Sequence, residues 1–360
     1  MLIGGLAAPD RRTTALLAGS LAILENNGSW RHCVAKAAPL RQLRIVDDTG
    51  RLIRAPEVKF NATEIGLDAF GYNIENTELL AGLNERAQAL PTLRRVDARL
   101  RSVEHAEDAV ILHLDSGATV KAPLLIGADG RHSMCRAAAD ISWSVHLYPQ
   151  SALALTFRHS RPHHDCSTEF QTAEGPFTQV PLPGHRSSLV WVLTPRRAAQ
   201  VAQMDDATLS IEIERGCHSI FGKVELEPGR SMFPLSVASA ATFAKNRIAL
   251  VGEAAHVIPP IGAQGLNLGL RDAEKIAALS SAAYRDGRDL GAEHILTQYD
   301  KARRGDVAGR SLAIDLVNRS LLSDFLPVQA ARGAGLYLLD RIGPLRRAVM
   351  HEGVAPVAAR

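Results

Sequence analysis

The chain contains 360 residues, 46% of them hydrophobic and 22% charged, with a formal net charge of +3. This composition predicts a globular protein with a sizeable core in roughly two domains, and it excludes a largely disordered chain. The charge is too small to indicate a nucleic-acid partner, and the four cysteines lack C-x-x-C spacing, which argues against a disulfide framework or a zinc site.

The amino-terminal part of the chain predicts a short strand followed by two helices. Residues 1–4 are typical of the end of a β-strand. Thr13 or Thr14 can cap a helix that continues to residue 26, which places Arg12 just before that helix. Asn76 can cap a second helix in the same way.

The middle of the chain is rich in strand patterns. Apolar and polar residues alternate from 96 to 121 and predict a β-meander. Strand-like runs at 152–157, 177–180 and 188–193, separated by Pro/Gly turns, predict a sheet-rich domain. A cluster of His, Asp and Cys at 163–166 follows Pro162, which is typical of an exposed turn, so we predict no metal site there.

A candidate ligand-binding loop follows the apolar strand that ends at Gly127. Asp129 and Gly130 turn the chain, and Ser133 can begin a helix. An aspartate in this place can accept hydrogen bonds from the hydroxyls of a sugar, or it can cap the helix through backbone N–H groups. The residues alone favour the capping role.

A second loop stands in a strand–loop–helix segment at 247–279. Residues 248–251 form an apolar run typical of a buried parallel strand, and helical apolar spacing begins near 266. Such a loop can bring helix N-terminal N–H groups close to an anionic ligand. An ordinary βα turn is the alternative, but the loop is richer in special residues than a turn requires: Gly252, Pro259, Pro260, Gly262, Gln264, Gly265, Asn267 and Gly269.

These segments resemble those of the flavin-dependent aromatic hydroxylases, and more closely the ubiquinone-biosynthesis hydroxylases, in the branch of the 2-polyprenyl-6-methoxyphenol hydroxylases. The resemblance covers nearly the whole chain, including residues 10–24, 70–83, 124–136, 247–279 and 318–356. It implies an α/β fold: a Rossmann-like FAD-binding domain, truncated at its N-terminus, a sheet-rich substrate domain and a C-terminal helical region. The implied boundaries are 1–60, 85–145 and 240–290 for the FAD-binding domain, 61–84 and 146–239 for the substrate domain, and 291–360 for the helical region.

The resemblance also implies roles for individual residues. Asp129 and Gly130 serve FAD and the pyridine nucleotide, and Arg12 approaches the cofactor, although a solvated arginine is the alternative. By the same resemblance, the ribityl chain and phosphates of FAD bind to the loop that contains Gly252, Glu253, Gly262, Gln264, Gly265 and Asn267. Pro259, Gly262 and Phe233 belong to the catalytic site; core packing is an equal explanation for Phe233. His256 is expected to be a hydrogen-bonded structural residue.

Two departures from the family pattern stand out. Glu253 occupies a position where the family usually has aspartate, so the carboxylate is kept on a longer stem. The G-x-G-x-x-G turn that holds the ADP pyrophosphate in the family has no counterpart here. A misplaced start of translation, a truncation, or weak FAD binding would each explain this difference.

The implied activity is FAD-dependent monooxygenation of a polyprenylated phenol in ubiquinone biosynthesis, through a flavin C4a-hydroperoxide, with O2 as co-substrate and NAD(P)H as donor. A non-catalytic assembly subunit of the pathway and a related flavoprotein reductase are the alternatives. Implied partners are the phenol, other proteins of the pathway and a membrane surface. We expect a cytoplasmic protein. The pattern at 336–349 indicates an amphipathic helix interrupted near Gly343 and Pro344, for which resting on a membrane or a partner and packing against its own domain are equal alternatives.

Overall fold

A computed structural model describes residues 1–5, 9–51, 54–260, 262–322 and 326–354 of the chain. Parts of the predicted FAD-binding domain, at 6–8, 52–53 and 261, lie outside the described residues. The same holds for 323–325 and 355–360 of the predicted helical region.

Most of the strands pair antiparallel. In chain order they are β1 (Leu2–Ile3), β2 (Thr13–Leu17), β3 (Ala38–Pro39), β4 (Gln42–Asp47), β5 (Val58–Asn61), β6 (Gly71–Glu75), β7 (Arg95–Val96), β8 (Leu100–His105), β9 (Val110–Leu114), β10 (Thr119–Ala122), β11 (Leu125–Gly127), β12 (Trp143–His159), β13 (Cys166–Thr172), β14 (Gly175–Leu182), β15 (Arg186–Leu193), β16 (Val224–Leu226), β17 (Ser231–Ala240), β18 (Ala244–Lys245), β19 (Ile248–Leu250) and β20 (His256–Val257). The parallel pairs are β1 with β7, β11 with β19, and β4 with β13.

The three longest helices lie in the last hundred residues of the chain. In order they are α1 (Ala18–Asn26), α2 (Asn76–Gln88), α3 (Met134–Ala138), α4 (Pro195–Ala202), α5 (Asp206–Gly216), α6 (Gln264–Arg285), α7 (Glu293–Leu322), α8 (Leu326–Arg341) and α9 (Gly343–Val354). Short 3-10 helices lie at Trp30–His32, Val34–Lys36, Ala62–Ile65 and Gly252–Ala254.

The chain forms two compact units. The first unit comprises Met1–Pro9, Glu85–Leu147 and Ser236–Ile314, and the second comprises Asp10–Asn84, Tyr148–Leu235 and Asp315–Arg360. The two units are defined by how densely their residues contact one another, whereas the domains predicted from the sequence are defined by what they bind. The division by binding role stays a prediction. The two divisions differ at 10–60, which belongs to the second unit, and in the helical tail, which is shared between the units.

The first unit contains the parallel pairings of an α/β fold. Strand β1 pairs in parallel with β7, and β11 pairs in parallel with β19, which β18 extends on its other edge. The predicted meander is confirmed, since β8, β9 and β10 form an antiparallel sheet in that order. The core includes Val110, Phe243, Leu250, Leu268 and Tyr299, all of them buried.

The second unit is built on a large, mostly antiparallel sheet. Its strands follow the order β12, β15, β14, β13, β4 and β5, and β13 and β4 are parallel. All three strand-like runs of the predicted substrate domain are therefore strands. One face of the sheet packs against α4 and α5 through a core that contains Phe157, Phe177, Leu189, Leu209 and Ile213.

The helix predicted from Thr13 is wrong in its first part. Residues Thr13–Leu17 form β2, and the helix begins only at Ala18. Strand β2 pairs antiparallel with β6, with Thr13 opposite Glu75 and Leu17 opposite Gly71. The pairing with a strand about fifty residues away in the chain determines the conformation, because tertiary pairing overrides weak local helix propensity.

The carboxyl-terminal helices break where the sequence predicted an interruption. Helix α8 ends at Arg341 and α9 begins at Gly343. Within this stretch Arg346 is buried: its guanidinium pairs with Glu64 at 2.6 Å and lies 4.4 Å from the ring centroid of Phe60. Among the described residues, no helix combines the length and the hydropathy needed to cross a bilayer.

Candidate active site

The Asp129 and Gly252 segments meet at one edge of a parallel sheet. Strands β11 and β19 lie side by side with Gly127 opposite Leu250, and the Val251 amide donates a hydrogen bond to the Gly127 carbonyl at 2.9 Å. Both loops therefore leave the sheet at the carboxyl ends of adjacent strands. In open α/β sheets this edge is where ligands bind.

Asp129 caps the short helix α3. One carboxylate oxygen accepts a hydrogen bond from Ser133 Oγ at 2.6 Å, and the other accepts the Cys135 amide at 3.0 Å. The capping role favoured by the residues alone is thus confirmed. An ionised carboxylate offers about four acceptor positions, so Asp129 keeps the capacity to accept from a sugar hydroxyl as well.

A salt bridge joins the two loops. Arg131 Nη2 lies 3.2 Å from Glu253 Oε1, and Arg131 Nε lies 3.3 Å from Glu253 Oε2. The side chains are 47% and 55% exposed, so the pair contributes at most about 1 kcal/mol to stability. The longer stem of Glu253 therefore has a specific partner, which the sequence did not reveal because the two residues are far apart in the chain.

Gly252 packs tightly against helix α6. Its backbone has φ +59°, and a Cβ placed on Gly269 would lie 3.2 Å from the Gly252 Cα. The Gly252 amide donates to Asp272 Oδ2 at 3.0 Å. This N–H group is therefore committed within the protein, and the glycine serves the fit of the loop on the helix rather than direct donation to a phosphate.

Asp272 is the centre of a buried network beneath the loop. It is fully buried and lies 2.6 Å from His256 Nε2 and 2.7 Å from Arg303 Nε. Tyr299, also buried, donates its hydroxyl to the Leu250 carbonyl at 2.6 Å, and burial raises its pKa. His256 is thus a hydrogen-bonded structural residue, as the sequence analysis favoured. Its partner Asp272 was not predicted, because the apolar spacing of α6 does not reveal a charge on the buried face.

Side-chain hydrogen bonds fix the turn before α6, while its two glycines are exposed to solvent. Gln264 donates from Nε2 to the Gly262 carbonyl at 3.1 Å and accepts from Arg310 Nη1 at 3.1 Å. Buried Asn267 donates to the carbonyl of Ala263. Pro259 is also buried, whereas Gly262 and Gly265 are exposed and a Cβ on either would meet no atom within 4 Å.

The amino end of α6 suits an electron-rich ligand. Ala263 precedes the helix with a left-handed backbone (φ +55°), and no side chain of the described residues caps the first turn. Uncapped N–H groups and the helix dipole give this end a partial positive charge. A small, open backbone turn with uncommitted donors fits the reducible ring system of a flavin, so the residues present fit FAD.

The second unit places Arg12 and Phe233 together. The guanidinium carbon of Arg12 lies 5.8 Å from the ring centroid of Phe233. Asp10 holds Arg12 in a two-pronged pair at 2.8 and 2.9 Å, and Asn76 Nδ2 donates to the same carboxylate at 2.8 Å. Burial of Asp10 opposes its charge, but hydrogen bonds from Arg12 and Asn76 prevail and lower its pKa to about 2. Asp10 therefore orients the Arg12 side chain, which is still 49% exposed, and its approach to a cofactor stays a prediction.

A polar cavity of about 600 Å³ adjoins this cluster in the second unit. Arg186 lies in its wall and bridges Glu227 at 2.6 Å and Glu75 at 3.0 Å, while Arg158 pairs with Glu227 at 3.0 Å. Sequence reasoning missed this cluster. Arg158 and Arg186 are directly opposite on β12 and β15, and the chain alone does not disclose that register.

The candidate residues thus fall into two sets. The first unit carries Asp129, Gly130, Gly252, Glu253, Pro259, Gly262, Gln264, Gly265 and Asn267, and the second unit carries Arg12 and Phe233. Within the described part of the chain, no group of three or more His, Cys, Asp or Glu side chains is arranged to hold a metal ion. At the 163–166 cluster, His163 Nε2 lies 3.0 Å from the Leu182 carbonyl oxygen.

Comparison with known proteins places the chain among flavoproteins. The model of the FAD binding domain family matches residues 6–311. The chain is 32% identical over 349 residues to the ubiquinone hydroxylase UbiL of Rhodospirillum rubrum, covering 97% of this chain and 80% of that protein. It is 31% identical over 343 residues to the 3-demethoxyubiquinol 3-hydroxylase of Escherichia coli, covering 94% and 86%.

A solved structure supports the same fold. The p-nitrophenol 4-monooxygenase PnpA of Pseudomonas putida superposes with a TM-score of 0.78 at 16% identity, covering 97% of this chain and 89% of that one. The geometry of the first unit and the family match point to the same cofactor. The loops at the ends of β11 and β19 and the open turn before α6 fit FAD, and the chain matches the model of the FAD binding domain family. The chain belongs to the FAD-dependent ubiquinone hydroxylase family, within the FAD binding domain family.

Proposed function

We propose that the protein is an FAD-dependent monooxygenase that hydroxylates the aromatic ring of a polyprenylated phenol in ubiquinone biosynthesis. The observation that carries this proposal is the meeting of the Asp129 and Gly252 loops at one edge of the parallel sheet, beside the uncapped start of α6. The names of the relatives, a ubiquinone hydroxylase and a demethoxyubiquinol hydroxylase, support a phenolic precursor of ubiquinone as the substrate.

The cofactor would be held mainly by the first unit. We assign its ribityl and phosphate groups to the segment of Glu253, Gln264 and Asn267, in which Gly252 shapes the loop without donating to the ligand, and its sugar hydroxyls to Asp129 beside Gly130. When bound, FAD would supply the redox chemistry, in which NAD(P)H gives the electrons and O2 gives one oxygen atom to the ring and one to water. Residues 85–145 and 240–290 would then form the core of the FAD-binding domain.

Backbone geometry would do more than acid–base groups in this site. The first-turn amides of α6, next to Gly262 and Gly265, would stabilise negative charge on the ring system that they face. Buried Pro259 would fix the approach of that turn, because proline has one φ value available. Within the second unit, Arg12, oriented by Asp10, would offer a positive charge beside the apolar ring of Phe233.

We also propose that the protein attaches to a membrane surface through α8 and α9. Large apolar side chains that are more than 40% exposed follow one another along these helices: Tyr337, Leu338, Ile342, Leu345 and Val349. Exposed Arg341 and Arg347 lie among them and would face anionic lipid headgroups. A polyprenylated substrate resides in the bilayer, so attachment would bring the enzyme to it.

The decisive experiment is to reconstitute the purified protein with FAD and follow both its spectrum and its oxygen uptake. A bound flavin spectrum, and oxygen uptake that depends on a prenylated phenol and yields a hydroxylated ring, are expected. A colourless protein that cannot be reconstituted would instead support an assembly subunit. Reduction of the substrate without oxygen uptake would support a flavoprotein reductase.

The electron donor is tested in the same assay. NADH and NADPH are each supplied at equal concentration, and oxidation of the nucleotide is recorded with and without the phenol. Consumption of a nucleotide that matches the hydroxylated product one to one supports NAD(P)H as the donor, whereas turnover supported only by another reductant contradicts it.

A further inference from the structure

A row of five residues crosses the second unit's sheet and includes one carboxyl group that the site described above does not use. In strand order these residues are Ala154, Val190, Thr178, Glu169 and Ile45, each directly opposite the next. Directly opposed residues point to the same face of a sheet. We call this set the central row, and its side chains lie on the face opposite to α4 and α5, because Phe177 and Leu189, which pack in that core, alternate with Thr178 and Val190.

Each end of this face is covered by other parts of the second unit. Toward one end, Thr13 of β2 donates to Ser188 Oγ at 2.8 Å, and Asn73 of β6 donates to the Pro181 carbonyl at 2.9 Å. Ser188 lies on the same face, two residues from Val190. The small sheet of β2 and β6 therefore lies over this end.

The opposite end is covered by the carboxyl-terminal helices. Asn318 of α7 donates to Gln150 Oε1 at 2.9 Å, and Arg332 of α8 pairs with Asp47 at 2.8 Å. Asp47 and Gln171, which follow the central row on their strands, are buried. Val190, Thr178, Glu169 and Ile45, between the two covered ends, are only half-buried.

The central row has the composition of a small-molecule contact surface. Ala154, Val190 and Ile45 are apolar, and only Thr178 and Glu169 are polar. An apolar surface with a few convergent polar groups is typical of sites that fix the orientation of an aromatic ligand. The row therefore offers a ring an apolar surface beside two neighbouring hydrogen-bonding side chains, Thr178 and Glu169.

The carboxyl group of Glu169 is poorly satisfied by its neighbours. Thr178 Oγ1 donates to Oε2 at 3.4 Å and Gln171 Nε2 donates to Oε1 at 3.5 Å, both at the upper limit of hydrogen-bond distance. Gln171 Oε1 is itself buried without a hydrogen-bond partner among the described residues. A weakly satisfied polar group in a desolvated place gains free energy when a ligand supplies a shorter hydrogen bond.

We propose that Glu169 is the residue that selects the substrate by accepting a hydrogen bond from the hydroxyl group on its aromatic ring. The inference rests on the proposed function, because it takes the ligand to be a phenol. Burial raises the pKa of Glu169, because desolvation disfavours the charged form of a carboxyl group. Glu169 holds the hydroxyl, and Val190 contacts the ring.

The test compares a short-chain alkylphenol with its methyl ether, which has the same ring but no hydroxyl hydrogen to donate. Binding to FAD-loaded protein without an electron donor is measured by titration calorimetry. The wild-type protein is expected to bind the phenol about tenfold more tightly than the ether, as one hydrogen bond permits. Glu169→Met should lose this preference, and Glu169→Gln should keep most of it, since the amide still accepts a hydrogen bond. A merely structural role would weaken both ligands equally.

Glu57→Gln is the matched control, because Glu57 is an exposed glutamate just before β5 of the same sheet and its change should leave both affinities as they are. A second measurement does not depend on the folding of the methionine variant. In infrared difference spectra, phenol binding should shift a carboxyl band that is absent in Glu169→Gln and does not move with the ether.

Two results would overturn the role of Glu169, even if the protein hydroxylates phenols. One is a Glu169→Met protein that still prefers the phenol, and the other is a carboxyl band that phenol binding does not shift. If the protein prefers the phenol over the ether through Glu169 but never hydroxylates the phenol, the role of Glu169 is supported and the proposed function is refuted. If wild-type protein binds neither ligand, both are overturned.

Discussion

Asp272 Oδ2 accepts the amide hydrogen of Gly252 at 3.0 Å, so that a fully buried carboxylate on α6 fixes the first residue of the predicted cofactor loop. The same carboxylate pairs with His256 and Arg303. The sheet edge, the loop and the helix are therefore connected through one side chain, and changes beneath the loop are expected to reach the cofactor.

Removal of the Asp272 charge is expected to destabilise the protein strongly. Asp272→Ala removes one of the two carboxylates that pair with buried Arg303, which keeps its pair with Asp306 at 2.7 Å, and it takes away the acceptor of the Gly252 amide. Breaking a buried ion pair costs about 3–5 kcal/mol, and because one pair remains we expect a loss near the lower end of that range. The free energy of unfolding in urea measures the effect. Glu274→Gln, at an exposed position on the same helix, is the control and should stay within about 0.5 kcal/mol of wild type. A loss below about 1 kcal/mol for Asp272→Ala would contradict the central role of the network.

Gly269 should be intolerant of any side chain. A Cβ there would lie 3.2 Å from the Gly252 Cα, which is backbone and yields little, so Gly269→Ala should push the loop outward. We expect the dissociation constant of FAD, followed by flavin fluorescence, to rise about tenfold, which corresponds to about 1.4 kcal/mol. Gly305→Ala on α7, where a Cβ meets no atom within 4 Å, should leave it unchanged. Equal affinities in the two variants would show that the contact does not shape the site.

Acid should weaken the attachment of helix α9. The Arg346 guanidinium, which donates to Glu64, lowers the pKa of that carboxyl from 4.5 to about 2. Because the folded pKa is depressed, the stabilisation is fully present above about pH 4.5 and is lost as the pH falls toward 2. The contribution is about 1 kcal/mol, since water screens part of the interaction.

Amide hydrogen exchange of residues 343–354 as a function of pH measures this weakening. Glu64→Gln removes the titrating group, so its α9 should exchange faster at neutral pH and show a weaker dependence on acid over this range. An unchanged acid dependence in that variant would assign the weakening to another group.

Membrane attachment is expected to depend on the exposed apolar residues of α8 and α9. Leu338→Asp combined with Ile342→Asp should reduce co-sedimentation with anionic phosphatidylglycerol vesicles at least fivefold, because charged side chains do not enter the acyl boundary. Ile211→Asp on α5, an equally exposed apolar position, is the control. Loss of binding in the control as well would indicate general instability, and retained binding in the double variant would refute the attachment surface.

The sequence predicted what depends on short stretches of chain. The strand, loop and helix around Gly252 follow from local apolar spacing and turn residues, and the structure has all three. Residues Thr13–Leu17 were predicted as helix because their pairing with β6 is not encoded nearby. The burial of Arg346 and the pairing of Asp272 with Arg303 could not be predicted for the same reason, since each partner comes from a distant element.

The position of Glu169 illustrates the same limit on a larger scale. Its neighbours in the central row come from four other strands, and a shift of one residue in any pairing would turn its side chain to the opposite face. The sequence patterns predict no strand around 169, where the structure has β13. The register of the sheet places this carboxyl group beside Thr178 in a row whose other members are apolar.

The bridge between Arg131 and Glu253 bears on how this branch of the family diverged. An aspartate at 253 would be one methylene shorter and would fall short of the guanidinium, whereas without arginine at 131 the longer acid would have nothing to reach. We expect the two positions to covary across relatives, so that a change at one site creates selection on the other, and the unusual glutamate becomes a marker of descent rather than a defect.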